Sequence, residues 1–190
     1  MNNPLEAVKY FNFEIHVFND DLCESPRQND NLGKIFALHS RFNFTDQDVS
    51  VSHDDCGSWE DVRDAIIEQY GDCIILPVYL YHHSGITINT TGFSCPWDSS
   101  QVGYIFVEKN LVREQYGVKR ISAKLISSVE DVLKSEIKEY SEYLEGACYR
   151  YEILDSEENI VDSCGGYIGD IKHCLNDAKA MVDSYVQQAA

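Results

Sequence analysis

Basic residues are scarce in this chain: 15 Lys and Arg stand against 32 Asp and Glu in 190 residues, a formal charge of −17. Phosphate contacts need cations, so direct nucleic-acid binding is not the expected activity. Long hydrophobic runs are missing as well, and none approaches the roughly 18 apolar residues of a membrane span. The opening stretch, MNNPLEAVKYFNFEIHVF, has an early acid, no basic segment and no small-residue cleavage site. No signal peptide or membrane partner is therefore expected, and the chain reads as cytoplasmic. The seven cysteines (23, 56, 73, 95, 148, 164, 174) include no CxxC pair and are odd in number. They read as free thiols of a reducing compartment, mostly packed as small hydrophobes. No repeat, low-complexity tract or linker divides the sequence, and no cofactor motif is present.

What is there is a folded composition, 44% hydrophobic and 12% aromatic. Residues 11–18 alternate as a half-buried strand, and residues 34–40 read as a second strand antiparallel to it. Ser58 followed by Asp61 fits a capping box, with Val62, Ile66 and Tyr70 at helical spacing and Gly71 as the stop. Residues 73–81 are nearly all apolar, like a buried strand, but Pro77 implies an edge, a bulge or a kink there. A strand at 102–107 and a short helix at 109–116 follow. The apolar stripe of Leu125, Val129, Val132, Leu133, Ile137, Tyr140 and Leu144 predicts a helix over 122–145. A hairpin, 147–154 and 160–163 around a turn at 155–159, and a last helix at 170–186 complete the pass. The expected fold is a single α+β domain over residues 1–190, with a mostly antiparallel sheet of about six strands and about four helices.

Residues 82–101 carry the densest chemistry. Gly85, Gly92 and Pro96, with Gly103 just beyond, punctuate a segment that also holds His82, His83, Ser84, Asn89, Thr90, Thr91, Cys95, Trp97 and Asp98. Loops of such length are uncommon unless functional or disordered. Phe93 and Trp97 argue for order, because both would seek burial. Cys95, His83 or His82, and Asp98 are the ingredients of a thiol nucleophile with a base and an orienting carboxylate. Their spacing does not demand it, and Cys95 packed beside Trp97 is the plainer reading. His39, His53, Cys56, His82, His83 and Cys95 are metal-ligand types, but only His53 and Cys56 are tightly spaced, and a structural zinc site needs four ligands. No metal is expected.

Arg27 is expected to pin the 19–33 excursion through an ion pair with Asp20, Asp21, Glu24 or Asp30. On the 122–145 helix, Glu130–Lys134 and Lys138–Glu142 are expected as i,i+4 pairs. A later acidic cluster, Asp155, Glu157, Glu158 and Asp162, has no basic residue within it, and Asp46, Asp48, Asp54 and Asp55 join it as the set best suited to phosphate imitation. Such carboxylates either keep the protein soluble or imitate a phosphate backbone before a basic groove.

Three segments together resemble a known group. They are Glu24-Ser25-Pro26-Arg27 with Asp30-Asn31-Leu32-Gly33 and His39; residues 76–107, LPVYLYHHSGITINTTGFSCPWDSSQVGYIFV; and residues 116–122 with the following Glu139-Tyr140 and Tyr143-Leu144. Across nearly the whole chain they resemble a family of small acidic proteins of phages, prophages and plasmids. Position 82 of that family is often acidic, and here it is His82. Small acidic proteins of mobile elements are frequently inhibitors of host defence, including anti-CRISPR and anti-restriction proteins. The resemblance implies a phage or mobile-element accessory protein, partnered by a CRISPR effector or restriction enzyme and acting as a DNA mimic. No catalytic residue is carried over from it. Asp46, Asp48, Asp54, Asp55, Asp155, Glu157, Glu158 and Asp162, with His83, Asn89, Phe93 and Trp97 from the loop, are the expected partner-binding set. The alternative is a small cytoplasmic enzyme using Cys95, His83 or His82, and Asp98.

Overall fold

Strand alternation builds two separate sheets rather than one. The computed structural model describes residues 3–52, 56–83, 85–95 and 97–188. Within them the chain is α+β, with four α-helices and eight strands in two antiparallel four-stranded sheets. His53, Asp54, Asp55, Ser84 and Pro96, named above, lie outside the described residues. The contacts divide the chain into two units, a terminal one (through Pro26, and from Glu142 on) and a central one (Arg27–Ser141).

In the terminal unit, β1 (Glu6–Tyr10) and β2 (Phe13–Asn19) form a hairpin whose two-residue turn holds Phe11 at φ 53°. That hairpin was not expected, because the turn lacks the glycine that usually marks a positive φ. β7 (Cys148–Leu154) and β8 (Ile160–Ile168) form the second hairpin, and the sheet order is β1-β2-β7-β8. The expected return strand at 160–163 is thus more than doubled, with register shifts where β8 carries extra residues. Ile15, Val17, Tyr151 and Ile153 turn one sheet face toward Cys174, Ala178 and Val182 of α4 (Ile171–Gln188), and these form a buried core.

In the central unit the order is β3-β6-β4-β5, with β3 (Lys34–Ala37), β4 (Cys73–His82), β5 (Ile86–Asn89) and β6 (Ser99–Glu108). The strand expected to pair with residues 11–18 is β3, and it pairs instead with β6. Gly103 makes this approach feasible: a Cβ there would overlap the Phe36 carbonyl and lie 2.7 Å from Ala37 Cα. Pro77 sits where β4 has β6 on one side only, next to a register shift at Val78/Tyr79, so both the edge and the irregularity are realised.

α1 (Trp59–Tyr70) begins at the Ser58–Asp61 capping box and ends at Gly71, as its sequence indicates. Val62 and Ile66 of α1 meet Phe36, Tyr104 and Phe106 in one core cluster. α2 (Lys109–Gln115) follows β6 directly, and α3 (Ala123–Leu144) buries Val129, Leu133, Ile137, Tyr140 and Ser141. On its outer face Lys134 pairs with Asp131 at 3.0 Å, an i,i+3 contact rather than the expected one with Glu130.

Arg27 does pin its segment, but to partners distant in sequence. Its guanidinium bonds Asp46 through Nε (3.0 Å) and a terminal nitrogen (2.6 Å), Glu136 (3.3 Å) and the Gly33 carbonyl (2.6 Å). Glu136 in turn accepts from the Leu32 and Gly33 amides. The three side chains are only 8%, 11% and 12% exposed. Burial lowers the Arg27 pKa, but hydrogen bonds and charge from Asp46 and Glu136 outweigh it, leaving the group above its ordinary value. Burial pushes Glu136 up, outweighing the downward pull of the Leu32 and Gly33 amides and of Arg27.

A candidate partner-binding loop

The segment between the hydrogen-bonded parts of β4 and β6 is not a single loop. β5 divides it, pairing Leu80 with Ile88 and His82 with Ile86, and Ile88 donates its amide to the buried Ser141 hydroxyl of α3 at 2.9 Å. What remains is a short connection between His82 and Ile86 and a longer one between Asn89 and Ser99.

The longer connection is braced from within. Asn89 Oδ1 accepts the amides of Thr91 (3.1 Å) and Gly92 (2.7 Å), while its Nδ2 donates to the Gly92 carbonyl at 3.0 Å. Gly92 has φ 81° and lies against the Tyr79 ring, where a side chain would be strained. Phe93 packs on Tyr81 with ring centres 5.4 Å apart. Further on, the Ser99 hydroxyl donates to the Cys95 carbonyl, and the His82 amide donates to the Asp98 carbonyl at 3.0 Å.

These ties leave Trp97 pointing outward, 92% exposed. The sequence led us to expect it buried beside Cys95, and the structure corrects that. Asn89 has its side chain engaged within the loop by the hydrogen bonds just described. His83, 69% exposed at its side chain, is accessible, and Phe93 is half-buried.

Cys95, Asp98 and His83 do come together, but in the wrong order for a nucleophile. The Cys95 thiol donates to Asp98 Oδ2 at 3.5 Å, and the same oxygen lies 3.7 Å from His83 Nδ1. A working triad places the imidazole between sulfur and carboxylate so that it can take the thiol proton. Here the carboxylate occupies that middle position. His82, the other candidate base, meets the edge of Phe42 at 5.3 Å, and Phe42 stacks on His39 at 5.0 Å. Among the described residues no group of three or more His, Cys, Asp or Glu is placed to hold a metal ion.

The acidic set is sorted by the structure in a way its sequence did not reveal. Asp46 is the internal partner of Arg27 and also accepts the Ile35 amide at 2.8 Å, so it is not a free surface carboxylate. Asp48 is exposed, 3.8 Å from Lys34. Asp155 caps its own hairpin turn, where hydrogen bonds from the Asn159 backbone and side chain hold it below the ordinary carboxylate value. Asp162 accepts from the Tyr185 hydroxyl at 2.9 Å. Glu157 and Glu158 remain exposed at the hairpin tip.

The acidic excess is uneven between the two units. The terminal unit has 15 acidic against 4 basic residues, a formal −11, whereas the larger central unit has 17 against 11, a formal −6. The terminal unit is built from both ends of the chain, with 5 acidic against 1 basic residue in 1–26 and 10 against 3 in 142–190. Comparison with protein-family models, curated proteins and solved structures finds no match.

Proposed function

We propose that this chain is a noncatalytic protein-binding factor of a phage or other mobile element, and that it inhibits a nucleic-acid-directed host defence complex in the host cytoplasm. The observation that carries the reading is Trp97, an almost fully exposed tryptophan on a loop held by hydrogen bonds at both of its ends. Tryptophan is the residue type most enriched among binding hot spots, and a braced loop loses little conformational freedom when it docks. The target class rests on charge and on the resemblance. An excess of −11 on one unit favours a basic, nucleic-acid-binding surface, such as that of a CRISPR effector or restriction enzyme.

The test is a pull-down with the tagged full chain from bacteria carrying CRISPR and restriction systems, identified by mass spectrometry. The expected result is stoichiometric recovery of one nuclease or effector complex. Recovery should fall as salt rises from about 0.1 M to 1 M, where the screening length shrinks from about 10 Å to 3 Å. Replacing Trp97 by Ala should weaken capture at least tenfold, corresponding to a loss of about 1.4 kcal/mol or more. Because the side chain is already in water, folding stability should change by less than about 0.5 kcal/mol. Recovery of no such complex, or undiminished capture by the variant, would overturn the reading.

The close contact of Cys95, Asp98 and His83 is the one observation favouring an enzyme. Substituting Cys95 by Ser leaves capture intact under the binding reading.

A further inference from the structure

β8 closes the terminal sheet at one edge, with β7 on one side and no strand on the other. Residues 160, 161 and 163–166 of it are exposed, Ile160 at 57% and Val161 at 43%. The ladder fixes which backbone groups face outward. Cys148 accepts the Asp20 amide at 2.9 Å on the β2 side, so Tyr151 and Ile153, in alternation with it, bond toward β8. Cys164 and Asp162 stand opposite those two, which turns the backbone of Ser163 away from β7. Val161 and Gly165 lie two residues to either side of Ser163, at the period of an edge ladder. The two register shifts bracket residues 162–164 rather than interrupt them. The Ser163 amide meets Asp162 Oδ1 at 2.7 Å, a local contact that an incoming carbonyl can replace while Oδ2 keeps the Tyr185 hydroxyl. Open edges are commonly blunted by Lys or Pro. Here residues 151–171 hold six acids and no Lys, Arg or Pro. Arg150, the nearest base before them, is engaged by Glu152 and lies over the Phe18 ring at 4.4 Å.

We propose that the open edge of β8 is an interaction surface for an extended, Lys- or Arg-rich segment of a partner protein, which joins the sheet as a further strand. Main-chain bonds to the edge set its register, and Ile160 and Val161 offer apolar contact to its alternate side chains. Charge decides the occupant. A second copy of this chain would bring its own six acids against these, whereas a basic segment complements them. The inference rests on the binding reading above for the partner being a basic protein. It adds a contact in the terminal unit that does not use Trp97, which belongs to the central one.

The test uses the purified full chain and, as probe, a peptide of alternating Lys and Val as long as β8, nine residues. Amide hydrogen–deuterium exchange within 160–168 should slow about tenfold or more when the peptide is added, with β1, β3 and β5 unchanged. Methylating the central amide nitrogens of the peptide keeps its charge and removes its donors. By fluorescence anisotropy that peptide should lose about tenfold or more in affinity. Ser163→Pro removes the outward donor and leaves Asp162 and Cys164 on their ladder, so it should abolish the protection while circular dichroism shows the native fold. Where that variant does not fold, the methylated peptide alone decides. No protection in β8, protection at another edge, or equal affinity of the methylated peptide would overturn the proposal. Protection that rises with protein concentration without peptide would also overturn it, by giving the edge to a second copy. The Trp97 reading is judged separately, by capture from cells, so its failure and this one are told apart.

Discussion

Replacing Arg27 by Met tests whether the central unit depends on one buried cation. Methionine fills much of the same volume but removes the guanidinium's two bonds to Asp46 and its bonds to Glu136 and the Gly33 carbonyl. The carboxylates left behind are 11% and 12% exposed, so water reaches them poorly, and they repel each other. Removing one partner of a buried ion pair typically costs about 3–5 kcal/mol, and that is the loss expected at pH 7. The deficit should also depend on pH. Glu136 already titrates above its ordinary value because it is buried, and without Arg27 it must shift further up. A carboxyl raised in the folded state binds its proton more tightly there than in the unfolded chain. Stability therefore falls as pH rises from the unfolded value through the folded one, and the deficit shrinks on acidification through that window. Urea unfolding followed by Trp59 fluorescence measures it, since Trp59 packs against the central core while Trp97 is already in water. A loss below about 1 kcal/mol at pH 7, or one unchanged at pH 5, would refute the argument.

Two further substitutions test the sheet and the first helix. Gly103→Ala puts a methyl group against the Phe36 carbonyl and Ala37 in the β3–β6 ladder, where backbone cannot yield cheaply. It should cost about 3 kcal/mol or more, or abolish soluble expression, as denaturation or yield will show. Ser58→Ala removes the oxygen that accepts the Asp61 amide, while Asp61 keeps its bonds to the Gly57 and Ser58 amides. A loss of about 1 kcal/mol in urea is expected, and no change would mean that the box does not stabilise α1.

The helices were legible because their signals are local. The Ser58–Asp61 box, the stripe from Val129 to Tyr140, and the stops at Gly71 and Gly146 all lie within a turn or two of what they specify. The sheets were legible only as a class. β2 pairs with β7, more than a hundred residues away, while β3 beside it in sequence joins the other sheet, and no local pattern encodes that choice. β1 and β5 escaped notice for different reasons. The β1–β2 turn uses Phe11–Asn12 instead of a glycine pair, and four residues of β5 are too few for alternation to stand out. Arg27 shows the same limit for charges. Its need for a carboxylate was evident, but Asp46 and Glu136 arrive from a later loop and from α3, too far along the chain for spacing to point to them.

For the candidate site, residue types were legible and orientations were not. A loop rich in Asn, Gly, aromatic and thiol groups announced itself at 82–101, yet the same residues admit a catalytic cluster, a packed turn or a binding tip. Orientation decides among them, and it follows from hydrogen bonds that close over short distances. The hydrogen bonds of Asn89 and the φ of 81° at Gly92 fix one end, and the Asp98 carbonyl held by the His82 amide fixes the other. Between those anchors Asp98 turns its carboxylate to both Cys95 and His83, which puts an acceptor where a triad needs a base. The same constraint leaves Trp97 facing water. Under the proposed reading, these hydrogen bonds meet much of the ordering cost of a contact through Trp97 before a partner arrives.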